Sequence, residues 1–147
     1  MNGGLYEYAV SITQFIPYLS TRNGIFNFMT WIEQPKKSRI CGHIAVAVIT
    51  GKTVLEIINF IGNRNGTKTK QLAKALRNYG FQCPDKCRKM PRPKLGIAQV
   101  HSPNRHGWHW VAVSDDKIYD GSFGKPDGTV DWPKDWKMTS FLPVTKI

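Results

Sequence analysis

Residues 41–50 read Cys-Gly-His-Ile-Ala-Val-Ala-Val-Ile-Thr, and Gly51 follows them. Every position from Ile44 to Ile49 is apolar, and most are small or branched, so the segment has no polar face. Such a run is typical of a helix or a strand that is buried on all sides, and periodicity does not decide between the two. In either form the segment belongs in the core, with Cys41 at its start.

Two helical patterns follow this segment. Thr53 and Glu56 match a capping box, in which each side chain accepts a hydrogen bond from the backbone N–H of the other residue. Residues 54–61 place apolar side chains at helical spacing after the cap. Residues 69–80 have apolar positions on one face and basic positions on the other, which predicts an amphipathic helix that ends at its glycine.

The second half of the chain has strand patterns instead. Residues 82–94 are rich in proline and basic side chains, which predicts a connector. Three short strands are predicted at 97–100, 108–113 and 117–122, and the last two are joined by a tight turn. Helices followed by antiparallel strands predict an α+β fold, in one domain that spans residues 1–147.

The composition excludes several classes of protein. With 147 residues, 41% hydrophobic and 21% charged, the chain has the make-up of a globular domain rather than a disordered one. No apolar run approaches the roughly 18 residues that a membrane helix needs. The N-terminus lacks the basic start and apolar stretch of a secretion signal. The secondary structure of residues 1–30 is ambiguous, because their pattern fits a helix and a strand equally well. We therefore expect a cytoplasmic protein with no membrane partner.

The positive charge is concentrated in the middle of the chain. The formal net charge is +11, and residues 61–100 contribute +9 of it, with ten basic residues against the single Asp85. The basic stretch 64–94 is therefore a candidate surface for an acidic partner or for nucleic acid. The alternative is a solvated face that keeps the protein soluble.

The cysteines do not form a disulfide framework, because there are only three. Cys83 and Cys87 have three residues between them, and His101 and His106 follow, which allows a zinc site. Structural zinc sites usually have two residues between paired cysteines, so a pair of surface thiols fits the spacing better. We expect no metal and no cofactor.

Cys41, His109 and Asp120 form the set of residues best suited to catalysis. If the opening segment is a helix, the thiol lies at its N-terminus, where the dipole favours the thiolate. A tight turn at 115–116 places Asp120 opposite Val111 and diagonal to His109, so the carboxylate can orient the imidazole. A thiol, an imidazole and an acid in this arrangement are what nucleophilic cysteine catalysis needs.

Several motifs resemble those of papain-like cysteine peptidases. The resemblance is strongest to the compact bacterial branch that removes double-glycine leader peptides. The resemblance covers roughly residues 34–124. The motifs are, in order, Cys41-Gly42, Gly66-Thr67-Lys68-Thr69, His109-Trp110-Val111-Ala112-Val113 and Ile118-Tyr119-Asp120.

The resemblance implies a papain-like fold, in which N-terminal helices bearing the cysteine pack on an antiparallel sheet bearing the histidine and the acid. It also implies that Cys41 is the nucleophile, His109 the general base and acid, and Asp120 the residue that orients His109. Gln34 is the candidate for holding the oxyanion, although it lies seven residues before Cys41, one further than is usual. His43 stands where many members have a proline.

Three functions follow from these expectations. The first is a cysteine peptidase that cuts a peptide or isopeptide bond in a peptide or protein substrate through a thioester acyl-enzyme. The second keeps the same residues in an amidase, deamidase, acyl transferase or peptidoglycan hydrolase, because the triad does not set specificity. The third is a non-enzymatic module that binds nucleic acid or a partner through the basic stretch.

Overall fold

Three helices and seven strands make up the described part of the chain. The computed structural model describes residues 29–89, 93–101, 108–114, 117–121, 130–131 and 137–147. Residues 1–28 and the predicted turn at 115–116 lie outside these ranges. The helices are α1 (Cys41–Thr50), α2 (Val54–Ile61) and α3 (Thr69–Asn78). The strands are β1 (Phe81–Gln82), β2 (Leu95–His101), β3 (His109–Ser114), β4 (Lys117–Tyr119), β5 (Val130–Asp131), β6 (Lys137–Pro143) and β7 (Thr145–Lys146).

The segment 41–50 forms a helix, which resolves the ambiguity in its sequence. All of α1 from Gly42 to Ile49 is buried, because the helix packs on α2, α3, β2 and β3. A helix that is apolar all round is stable only when it is surrounded in this way. Gly51 adopts a left-handed conformation and donates its N–H to the carbonyl of Ala47, which ends the helix.

Gly42 allows the start of α1 to lie directly against the chain that leads into α3. A Cβ at this position would overlap Thr67 Oγ1 and would lie 3.0 Å from Leu72 Cδ2. The neighbouring His43 is fully buried, and its Nε2 lies 2.8 Å from the carbonyl oxygen of Asn63. These contacts fix the first turn of α1 against residues 63–72.

The two predicted helices after α1 are confirmed. Thr53 and Glu56 form the expected capping box at the start of α2. In α3 the apolar face is buried against α1 and α2, while Lys70 and Lys74 are exposed. Gly80 has a φ of 93°, a conformation that terminates the helical run as predicted.

The main sheet is antiparallel and has the strand order β5-β4-β3-β2-β6. One face packs with α1 and contributes Ile97, Ala112 and Leu142 to the main core. A second core includes Val111, Val113 and Phe141. The α+β prediction is therefore confirmed, with α1 packed on the central strand β3.

The β3–β4 hairpin has the predicted register. Ala112 pairs with Tyr119 and Ser114 pairs with Lys117, the same alignment that a turn at 115–116 produces. The predicted extent of the second strand is wrong, however, because β4 ends at Tyr119. Asp120 therefore lies just beyond the strand rather than within it.

The predicted connector at 82–94 contains pairings that its sequence does not reveal. Residues 81–82 form β1, which pairs with β7 in a separate two-stranded sheet. Arg88 and Phe141 exchange two backbone hydrogen bonds at the outer edge of β6. Within the described ranges no single helix is long and apolar enough to span a membrane, whereas α1 and α2 together, bent by 119°, pass that test on length and composition.

Candidate active site

Cys41 is the first residue of α1 and is only partly buried. Burial alone raises the pKa of the thiol, but the hydrogen bond and charge of His109 outweigh it, together with backbone N–H groups of Trp110 and Gly42. The net pKa of Cys41 therefore lies below its ordinary value. Its position at a helix N-terminus favours the thiolate further.

His109 begins β3 and lies between Cys41 and Asp120. Its Nε2 is 2.7 Å from Oδ1 of Asp120, which confirms the predicted diagonal contact, and it also shares a hydrogen bond with the Cys41 thiol. Burial alone lowers the pKa of His109, but the bonds to Asp120 and Cys41 raise it to about 9. The site therefore favours an imidazolium beside a thiolate at neutral pH.

Backbone hydrogen bonds to residues 31–34 fix the position of Asp120. The residue is buried, and its backbone carbonyl oxygen accepts a hydrogen bond of 2.8 Å from Trp31 Nε1. The next carbonyl, that of Gly121, accepts a 2.9 Å bond from the Gln34 N–H. The chain leaves the sheet after Tyr119 because these groups bond to residues 31–34.

Gly121 makes this crossing possible. A Cβ here would lie 2.5 Å from the Ile32 carbonyl oxygen and 2.7 Å from the Gln34 nitrogen, too close for any other residue. Neither Gly121 nor Trp31 was identified from the sequence. The glycine directly after a candidate catalytic acid was the available signal, and nothing in the local pattern pointed to Trp31.

Gln34 lies in the same cleft as Cys41, despite the extra residue between them. The chain makes a tight turn at 35–38, where Ser38 donates from both its N–H and its hydroxyl to the Pro35 carbonyl. Lys37 has a φ of 63° in this turn, which shortens the path. Gln34 Nε2 donates to the Ser38 carbonyl at 3.2 Å, so a second N–H of the same amide is left for a ligand.

The cleft has a volume of about 510 Å³ and is lined by both polar and aromatic side chains. Trp108 is 57% exposed at its edge and packs edge-to-face against His101, with ring centroids 5.6 Å apart. Thr67 also lines the cleft. The residues that line the cleft include Gln34, Arg39, Cys41, Thr67, Trp108 and His109. The arrangement combines a nucleophile, a base and hydrogen-bond donors in one accessible groove.

Another cavity, larger than this cleft, lies between α3, β1 and β7 and has a volume of about 650 Å³. Its wall includes Cys83, whose thiol is 3.6 Å from the Ala73 carbonyl oxygen and whose pKa is raised by burial. No imidazole lines this cavity, so the smaller cleft is the candidate active site.

Cys83 and Cys87 pack beside α3 rather than against each other. The Cys87 Sγ lies 3.8 Å from Thr69 Oγ1, and both cysteines are free thiols. Among the described residues, no three His, Cys, Asp or Glu side chains cluster as metal ligands. His106, the last member of the zinc alternative, lies outside the described ranges.

No protein-family model matches the sequence, and no curated protein matches it significantly.

Proposed function

We propose that this chain is a papain-like cysteine peptidase that hydrolyses a peptide or isopeptide bond. The observation that supports it most is the continuous contact from the Cys41 thiol through His109 to the buried Asp120 at the edge of an open cleft. The helix that bears Cys41 packs on the antiparallel strand that bears His109, which is the layering that a papain-like fold requires.

The acylation step uses groups on both sides of the cleft. The Cys41 thiolate attacks the carbonyl carbon of the substrate, and the oxygen gains the electron pair of the C=O π bond. The Cys41 N–H, which has no acceptor within α1, and the second N–H of Gln34 stabilise this oxyanion. The C–N bond then breaks as His109 gives its proton to the leaving amine, and a thioester remains on Cys41.

Deacylation reverses the proton path. Neutral His109 takes a proton from water, and the oxygen of that water attacks the thioester carbonyl. The C–S bond breaks, the acid product leaves, and the thiolate–imidazolium pair is restored. Asp120 bonds to Nε2 throughout, so the other ring nitrogen always faces the sulfur and the substrate.

The same steps serve an amidase, a deamidase or an acyl transferase, in which a different amine leaves or a different nucleophile attacks the thioester. Product analysis separates these reactions, because only a peptidase generates a new α-amino terminus or releases a peptide from a lysine side chain. A non-enzymatic basic module is the remaining alternative, and it requires no function for Cys41.

The test is to trap the acyl-enzyme. The chain is mixed with a proteome-derived peptide mixture, quenched in acid, and its intact mass and the cleaved peptides are measured. We expect mass adducts on Cys41 and new peptide termini, both lost in Cys41→Ala. In Cys41→Ser we expect cleavage to fall strongly, since a serine hydroxyl is a poorer nucleophile beside a histidine tuned to a thiolate. Cleavage that survives Cys41→Ala would refute the proposal.

A further inference from the structure

We propose that the cleft selects acidic peptides, with Arg39 facing a carboxylate of the substrate close to the scissile bond. This inference rests on the proposed peptidase function and specifies its substrate class.

Arg39 is fixed at the cleft by its backbone. Its carbonyl accepts a 2.9 Å hydrogen bond from the Gly66 N–H, and it forms a parallel bridge with Asn65. Because Arg39 precedes Cys41 by two residues, their Cα atoms lie within about 7 Å of each other. The backbone of Arg39 is therefore anchored beside Cys41, and its exposed side chain lines the cleft.

No described residue of the cleft wall is acidic, and Arg39 makes no salt bridge to any described residue. The carboxylate of Asp120 belongs to the site, but it is buried and bonds to His109. A guanidinium pairs best with a planar carboxylate, to which it donates two parallel hydrogen bonds. The substrate is thus the source of the carboxylate that Arg39 lacks.

A basic rim extends this preference beyond the cleft. We define the rim as Arg64, Lys68, Lys70 and Lys74, all of which are exposed. Arg64 and Lys68 flank the cleft residues 65–67, and the rim continues along the exposed face of α3. Arg77, further along the helix, is excluded from the rim because it pairs with Asp85 at 2.7 Å.

An acidic polypeptide fits this rim better than single-stranded nucleic acid does. Binding of single strands relies on aromatic side chains interleaved with the basic ones, and the segment 64–78 that bears the rim contains no aromatic residue. The exposed Trp108 lines the cleft itself.

The experiment begins with the peptides that the enzyme cleaves from the proteome-derived mixture. We expect Asp and Glu to be enriched beside the cleavage sites. The best peptide is then compared with its Asn or Gln analogue on the wild type and on three variants, Arg39→Gln, Arg39→Lys and Lys52→Gln. Lys52 is the matched control, since it is exposed and follows the far end of α1.

For the wild type, we expect kcat/KM to be about tenfold higher for the acidic peptide than for its neutral analogue. Arg39→Gln should remove most of this preference, Arg39→Lys should retain part of it, and Lys52→Gln should retain all of it. Rising salt should weaken the preference, because the rim is exposed.

Three outcomes would overturn the inference. Cleavage without enrichment of acidic residues refutes it and leaves the peptidase intact. An acidic preference that survives Arg39→Gln refutes the assignment to Arg39. The third outcome is that the protein shows no acidic preference in cleavage but binds a single-stranded oligonucleotide tightly. If changing Lys68, Lys70 and Lys74 to Gln abolishes that binding, the rim is a nucleic-acid surface. Failure to cleave any peptide refutes the proposed function itself.

Discussion

The imidazole of His109 and the carboxylate of Asp120 meet at 2.7 Å, although the two residues are 11 positions apart and Asp120 lies outside the strand. The contact orients the ring so that its other nitrogen faces Cys41. The same contact, with that of Cys41, keeps the imidazole protonated to a higher pH than an ordinary histidine. Each part of this relationship can be measured.

Cys41 should be alkylated faster than the other two cysteines in mildly acidic solution. Its pKa is lowered beside His109, whereas burial raises the pKa of Cys83. At about pH 6 we expect labelling of Cys41 to be at least about tenfold faster, because only the thiolate reacts. Mass spectrometry of iodoacetamide-treated protein gives the three rates. His109→Ala should remove most of the difference, and a Cys41 that reacts only after denaturation would exclude a catalytic role.

The pH dependence of kcat/KM should be bell-shaped. The proposed mechanism requires Cys41 without its proton and His109 with its proton, so we expect the rate to rise as the thiol ionises and to fall as the imidazolium deprotonates. The lowered pKa of Cys41 moves the acidic limb below the pH at which a free thiol ionises, and the His109 pKa places the alkaline limb at about 9. A fluorogenic peptide assayed across this range checks both limbs. An alkaline limb near the ordinary histidine value, about 6.5, would contradict the buried ion pair.

Asp120→Asn should reduce catalysis without unfolding the protein. The amide keeps the shape of the side chain, and the backbone bond to Trp31 does not depend on it. The loss of charge lowers the pKa of His109 and weakens its orientation, so we expect kcat to fall roughly 10- to 1000-fold, less than for His109→Ala. A thermal melt of both variants controls for folding. Full activity in Asp120→Asn would show that another group orients the imidazole.

Gly121→Ala should destabilise the fold and displace Gln34. The new methyl group would press on the backbone of Ile32 and Gln34, and overpacking of this kind costs about 1–3 kcal/mol. Gly51→Asn is the matched control, because Gly51 is exposed, has open space around it and has a left-handed φ that asparagine tolerates. This substitution should change the free energy of unfolding by no more than about 0.5 kcal/mol. Urea titration measures both. Equal effects would mean that the crossing at Gly121 is not tightly packed.

The features that sequence reasoning predicted best depend on local signals. The capping box at Thr53 and Glu56 uses two side chains three positions apart, and the register of β3 with β4 matches the one expected from the predicted two-residue turn. The placement of His109 beside Asp120 came from that register alone. Such features need no knowledge of the rest of the chain.

The features that were missed depend on contacts between distant segments. Asp120 leaves the sheet because residues 31–34 bond to its backbone and to that of Gly121, and no pattern near residue 120 encodes this. The strands β1 and β7, at residues 81–82 and 145–146, lie far apart in the sequence but pair with each other. Each has only two residues, which is too short to show a periodicity. The helical state of 41–50 was likewise decided by the layers around it.

The packing of α1 on β3 makes the reactivity of Cys41 a property of the assembled molecule. His109 follows Cys41 by 68 positions, so a growing chain on the ribosome contains an ordinary thiol until the sheet has been synthesised and has docked. Until then the Cys41 thiol lacks the imidazole that lowers its pKa, so it is less nucleophilic than in the folded protein. In denaturant, the rate of Cys41 alkylation at mildly acidic pH reports directly on whether the two layers are joined.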